Sequence, residues 1–356
     1  ITIPTTGTGY NYQVDWDNDG VFDQTGITGD VTHDFGSTGT KTIRIKGSFP
    51  RIYFNNSGDK SKILSVEQWG TGAWVTMANA FYGANNLVVN ASDTPNLSVA
   101  TSMYFMFTGA TALGNGTGNW DWNTSNITDM RSLFQSATSF NKNIESWDVS
   151  KVTSLRYMFL YASLFNQPLD AWDTSNVTET FGTFHSASSF NQPIGSWNTG
   201  KVTDMSYMFQ NATSFNQPIG AWDTSKVTNM FYMFTSATSF NRPLDTWDVS
   251  KVTNIAAMFK SATNFNQPRN SWDTSSLVTI STGTYAGAFY QANSFNQSLD
   301  NWDVSKVTRF SYLFSYATSF NQDISSWNTS SVTAMDSMFL AASSFNKPLE
   351  SWDISN

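Results

Sequence analysis

Tryptophan recurs at Trp122, Trp147, Trp172, Trp197, Trp222, Trp247 and Trp272, always 25 residues apart, and then at Trp302, Trp327 and Trp352. A period between about 20 and 50 residues means that one short unit stacks on its own copies, each burying the apolar face its neighbour cannot bury alone. The flanking residues recur as well. Phe165-Asn166-Gln167-Pro168-Leu169 leads to Trp172-Asp173-Thr174-Ser175-Asn176-Val177-Thr178, and Phe184 follows. Ten units are visible, with one five-residue insertion between Trp272 and Trp302. A chain of 356 residues would ordinarily suggest two or three domains, but a quasi-linear repeat core escapes that scaling.

The repeat divides the chain. Residues 1–48 do not follow it; Tyr10 to Trp16 and Thr40 to Lys46 alternate as strands do, and glycines punctuate them as turns, so they read as a β-rich cap module. Residues 49–113 hold degenerate first repeats and 114–356 the regular ones. Within a unit, Val202, Met205, Met208, Phe209 and Ala212 have the spacing of one apolar helix face, and Thr203 and its equivalents Thr128, Thr153, Thr178, Thr228, Thr253, Thr308 and Thr333 fit as N-caps. Phe190 to Trp197 is short, contains a proline and reads as a strand plus a turn. The expected fold is therefore an α/β repeat, with strand, turn and short helix in each 25-residue coil.

Composition removes several functions. The formal net charge is −8 with no basic cluster, which argues against nucleic acid. Cysteine is absent, so no disulfide or thiolate metal site exists. No apolar run is long enough to span a membrane. A surface rich in Ser, Thr, Asn and Asp with 13% charged residues suits an extracellular protein. The chain begins at Ile1 without Met and stops within a unit, and reads as a mature or trimmed piece of something longer. His33 and His185 are the only histidines and neither sits in a nucleophilic constellation, so the chain does not read as an enzyme.

The string Met208-Phe209, Ala212, Phe215-Asn216, Ile219, Trp222-Asp223, Ser225, Val227-Thr228 closely resembles the 25-residue repeat of BspA-like leucine-rich-repeat surface proteins, over roughly residues 70–356. That resemblance implies a right-handed leucine-rich-repeat-like solenoid on a secreted or surface-anchored bacterial protein, usually an adhesin, with no catalytic residues. The N-terminal Val14-Asp15-Trp16-Asp17, Thr32 to Phe35 and Gly39 to Ile43 are similar to a shortened PKD-like β-module.

Some columns read as architecture. The tryptophans are expected to stack in the core, the asparagines from Asn141 to Asn346 to form a ladder bonding turn amides, and the Asp that follows Trp in most units, replaced by Asn198 and Asn328, to close Asx turns. Candidate binding residues are Thr284 and Tyr285 in the insertion, and Arg242 and Arg269, which depart from the repeat. Asp15, Asp17, Asp19 and Asp23 match part of a calcium loop, although Gly26 stands where its bidentate Glu belongs; the alternative is a hairpin turn with solvated acids. Calcium is the one possible cofactor. The expected function is recognition of a protein partner on a host or neighbouring cell, through an extended face. A polysaccharide partner and a ligand-free spacer are the alternatives.

Overall fold

The computed structural model describes residues 1–355. The N-terminal module holds β1 (Thr2–Ile3), β2 (Asn11–Asp15), β3 (Gln24–Ile27), β4 (Val31–Thr32) and β5 (Arg44–Ser48). β2 is the centre of an antiparallel β3-β2-β5 sheet, and β1 pairs with β4. Tyr12, Val14 and Trp16 alternate inward and form a small core with Ile3, Tyr10 and Val31. A second, separate core runs from Phe54 to Met338 through the stacked coils. The first of these coils pair through β6 (Ser65–Val66) and β7 (Val88–Val89), which are parallel.

No helix forms in the repeats. Among the described residues the one helical element is a 3-10 turn at Leu113–Asn115. This overturns the expected α/β repeat with its leucine-rich-repeat-like strand, turn and helix. The reason lies in where the backbone N–H groups go. In the coil at 197–221, the N–H groups of Met205, Tyr207, Phe209 and Asn211 donate to the carbonyls of Asn229, Phe231, Met233 and Thr235 in the next coil, at 2.7–3.0 Å. The intervening N–H groups of Met208, Gln210 and Ala212 close turns onto Met205, Tyr207 and Phe209, three residues back. Consecutive three-residue turns bury residues at nearly the spacing of a helix face, which is why the pattern of Val202 to Ala212 reads as one. An α-helix is excluded because two residues per coil are left-handed, such as Tyr207 (φ 60) with Asn211 (φ 56) and Tyr232 (φ 57) with Ser236 (φ 56).

The threonine column is likewise not a set of caps. Thr178 donates both its N–H and its hydroxyl to the carbonyl of Thr153, and Thr228, Thr253 and Thr333 repeat this on the coil before. Next to it runs a line of parallel bridges, Ser102–Asp129–Ser154–Glu179 and Asp204–Asn229–Asn254–Thr279. The extended part of each coil thus lies where the helix was expected to start. The stretch 190–197, expected to be the strand, has none.

Aromatic columns fill the core. Phe134, Phe159, Phe184, Phe209, Phe234 and Phe259 stack on one another at 5.5–5.8 Å between centroids. A second column from Phe140 to Phe345 stacks at 5.8–6.1 Å, and within each coil the two rings lie about 4 Å apart, as in Phe209 and Phe215. The tryptophans form a third column, Trp172–Trp197 and Trp222–Trp247 being parallel at 6.3 and 6.4 Å. From Trp147 to Trp352 each indole N–H of this column is satisfied from the coil before, as where Trp222 Nε1 donates to the Ile194 carbonyl at 2.9 Å. Burying each such ring is worth roughly 1.5–3 kcal/mol.

One core position breaks the pattern. Arg269 occupies the column of Ile194, Ile219, Leu244 and Leu299 and is completely buried. Its Nη1 donates to the carbonyl of Pro268, while Nε and Nη2 make no hydrogen bond within the protein. The guanidinium lies 4.7 Å from the Phe265 ring centroid and 5.1 Å from that of Trp272, and burial lowers its pKa to about 9.

Two outcomes follow from this architecture. Arg269→Leu restores the aliphatic column and is expected to raise stability by about 1–4 kcal/mol, read as a higher urea midpoint with an unchanged m-value; a fall would show that the guanidinium is well solvated in place. Ser236→Val places a β-branched side chain at φ 56 and is expected to cost about 1–2 kcal/mol, whereas Ser236→Gly is neutral or better. Equal midpoints for the two variants in thermal unfolding would refute the left-handed assignment.

Candidate functional site

The ladders at the coil edges are occupied with structural work. Asn191 Oδ1 accepts the N–H of Asn216 at 2.9 Å and the Gln217 amide at 3.0 Å, and the same bonds recur along the column. Asp223 Oδ1 accepts the N–H of Ser225 at 3.0 Å, and Asn198 does the same for Gly200. These bonds hold the Asp223 carboxyl below its ordinary range, the Ser225 side-chain bond first and its backbone bond second. Because the edge residues are nearly the same in every coil and bond to each other, they distinguish no coil from the next.

The run of turns behaves differently. Two of its core columns scarcely change: Phe134 recurs as Phe159, Phe184, Phe209 and Phe234, and Ala137 as Ala162, Ala187, Ala212 and Ala237, whereas the buried columns Leu155, Thr180, Met205, Met230, Ile255 and Leu133, Met158, Thr183, Met208, Met233 exchange one uncharged side chain for another. The columns between them differ along the stack, although Tyr207 is followed by Tyr232 and Ser236 by Ser261; their Tyr, Arg, His and Lys members are at least partly exposed, while Leu160, Ser206, Thr235, Ala256 and Ala257 are buried. One reads Arg156, Phe181, Ser206, Phe231, Ala256, and the next Tyr157, Gly182, Tyr207, Tyr232, Ala257. Two more read Leu160, His185, Gln210, Thr235, Lys260 and Tyr161, Ser186, Asn211, Ser236, Ser261.

Contacts between rings join these columns into one surface. Tyr157 meets Phe181 at 5.2 Å, Phe181 meets Tyr207 at 5.1 Å, and Tyr207 stacks on Tyr232 at 5.3 Å. Tyr161 and His185 join the patch from the side, and burial lowers the His185 pKa. Arg156 lies 4.2 Å from the Phe181 centroid and pairs with Glu179 at 2.9 Å. Burial pushes the Glu179 carboxyl up, but hydrogen bonds from Ser154 and Arg156 outweigh it and leave its pKa lowered. Asp129, Arg131, Ser154 and Glu179, with Thr128, Thr153 and Thr178, line a shallow cleft of about 350 Å³ beside this patch.

The insertion extends the same face. Ser281 and Gly287 pair antiparallel and close a small loop, whose exposed tip carries Thr284 and Tyr285. Tyr285, half exposed, packs against Tyr290 at 5.5 Å and Tyr312 at 5.0 Å, and Tyr290 meets Tyr316 at 6.0 Å. Gly287 is required for the return, since a Cβ there would lie 2.2 Å from the Tyr312 carbonyl oxygen.

The other expected site residues are scattered. Arg242 is exposed but donates from Nε to the carbonyl of Asn216 at 2.8 Å, filling the role of glutamine in the asparagine ladder. Arg269 lies in the core and offers no contact surface, which removes it from the candidate binding residues. Asp15, Asp17 and Asp19 bring one carboxylate oxygen each within 4.8 Å of the others, while Asp23 turns back to accept the N–H of Trp16 at 2.8 Å. Asp15 is fully buried and accepts the N–H groups of Asn18 at 2.6 Å and Gly20 at 3.0 Å. Asp17 Oδ1 accepts the N–H of Asp19 at 3.2 Å and Asp19 Oδ1 that of Val21 at 2.7 Å, so each of these carboxylates also bonds a backbone amide of the turn. Asp17 and Asp23 also line an open cleft with Trp16, Gln24, His33 and Phe35.

The repeats match one known family over four consecutive stretches, residues 51–122, 101–212, 191–288 and 281–356, described as Mycoplasma protein of unknown function, DUF285. The chain belongs to this family. The matched stretches begin just after β5, so the N-terminal module lies outside them. No curated protein matches the sequence. Among the described residues no helix is long and apolar enough to cross a membrane.

Asp15→Ala, tested in the presence of chelator, is expected to lower the stability of the N-terminal module by about 1–3 kcal/mol by stranding the Asn18 and Gly20 amides. Faster amide exchange at those two residues is the direct readout; unchanged exchange would mean that Asp15 does not hold the turn.

Proposed function

We propose that this chain is the recognition region of a secreted or cell-surface bacterial protein, and that it binds a protein partner through the face made by its runs of turns. The observation that carries the reading is that coil-to-coil variation in charge and aromatic character is concentrated on this face, while the Phe and Ala columns beneath it are held constant. A stack used only as a spacer has no reason to diversify one side. The face is enriched in Tyr, Phe and Arg, side chains that dominate protein interfaces because they present large rigid area at low entropic cost. Resemblance of the repeat to that of BspA-like surface proteins supports the same location and role.

A polysaccharide is the second reading, favoured by exposed rings such as Tyr285. The distribution of the aromatics weighs against it. A repeating polymer lying along the stack would be matched by rings in every coil, whereas Ala256 and Ala257 interrupt the series between Tyr232 and Tyr285. An aperiodic face suits an aperiodic partner.

The test is binding to arrays of host surface proteins and of glycans. The wild type is compared with Tyr207→Ala/Phe231→Ala, on the variable face, and with Lys201→Ala/Lys226→Ala, on the constant edge. Protein binding weakened at least about a hundredfold by the first pair and unchanged by the second is expected. Binding confined to glycans would select the polysaccharide reading, and two blank arrays the spacer.

A further inference from the structure

The cations of the variable face are not equivalent. Arg131 pairs with Asp129 at 2.7 Å, Arg156 with Glu179 at 2.9 Å, and Arg309 lies 3.9 Å from Asp336. Among the described residues Lys260 has no such carboxylate. Its Nζ is held instead between two rings, 5.8 Å from the centroid of Tyr232 and 5.5 Å from that of Tyr290. The side chain is part-buried, and burial lowers its pKa. Ring faces attract an ammonium but supply neither the hydrogen-bond acceptors nor the opposite charge that it loses on leaving water.

The surroundings place this lysine at the centre of the face. Tyr207, Phe231 and Tyr232 form the aromatic group on one side of its coil, and Tyr285, Tyr290, Tyr312 and Tyr316 the group on the other. Its own coil carries only Ala256 and Ala257 in the columns where the neighbouring rings stand. A partner group that reaches the lysine is therefore flanked by rings and shielded from water, the setting in which a charge pair counts most.

We propose that Lys260 receives an acidic side chain of the partner protein, with the aromatic groups on either side gripping the apolar residues next to that acid. The proposal rests on the reading of this face as a protein-binding surface and adds the chemistry of the partner: a carboxylate bracketed by apolar side chains. The insertion then has a function, since it delivers Tyr285 to one wall of the lysine's surroundings.

The probe is a displayed library of random twelve-residue peptides, selected on the whole chain. Enriched peptides are resynthesised with each acid replaced by its amide and titrated calorimetrically against wild type, Lys260→Gln, Lys260→Arg and Tyr207→Ala/Tyr285→Ala. Enriched peptides are expected to carry an acid between apolar residues. Amide replacement and Lys260→Gln should each weaken binding about ten- to a hundredfold, without adding to one another, while Lys260→Arg keeps most of it. Peptides lost with Tyr207→Ala/Tyr285→Ala but indifferent to both the amide and Lys260→Gln would overturn the carboxylate assignment and leave the recognition face standing. An empty selection, or peptides indifferent to all these substitutions, would overturn the face as well. Thermal midpoints of the variants within a few degrees of wild type show that they are folded.

Discussion

Every coil of the stack depends on a division of its backbone N–H groups. Along the run of turns, alternate residues donate to the next coil and those between donate three residues back within their own. A buried amide left unpaired is costly, and this alternation, helped by side-chain acceptors such as Asp204 Oδ1 for the N–H of Ser206, pairs the amides of the run with no helix and almost no regular sheet. It also fixes the side chains. Residues such as Phe209 and Ala212 are turned into the core, and the left-handed residues Tyr207 and Asn211 are turned to the outside. The aromatic columns follow, because a 25-residue coil bonded to its neighbour residue by residue must set each ring on its equivalent.

This arrangement separates stability from specificity. The constant columns of Phe, Ala and Trp hold one coil to the next, and the Asn, Asp and Thr ladders tie down the edges. The outward turn columns are released from that work, so Tyr, Phe, His, Arg, Lys and Ser alternate there without disturbing what lies beneath. The insertion is accommodated on the same principle: Ala257 bonds to Ala286 and Ala288 to Ile280, so the loop leaves and rejoins the stack with its pairing intact.

Some elements are legible in the sequence and others are not, for a physical reason. The Asn141 to Asn346 ladder and the Asx turns were legible because their chemistry is local: a side chain bonding an amide two residues on, or the same residue one coil away. The helix was not, because apolar spacing reports which residues are buried and says nothing of whether an N–H is donated four residues back or to another coil. Thr203 and its equivalents have the composition of caps, yet the hydroxyls of Thr178, Thr228, Thr253 and Thr333 bond carbonyls one coil earlier. Of the candidate site residues, Thr284 and Tyr285 lie on the variable face because an insertion must project outward. Arg242 and Arg269 were singled out as departures from the repeat, but one serves a ladder and the other is buried. The signal that marks the face was present as well, in the alternation of constant Phe and Ala with changing neighbours. It needed the knowledge that these neighbours all point the same way.

The period and the identity of its constant residues were determined by the sequence alone. Identical units 25 residues long can bury their aromatics only by stacking, whatever path the chain takes within a unit. The path itself, the left-handed turns and the joining of Tyr157, Phe181, Tyr207 and Tyr232 into one surface were decided by the tertiary structure. The physical reason is that each coil finds its hydrogen-bond partners in the coil beside it, so the conformation of any one unit is set by a neighbour that its own sequence does not describe.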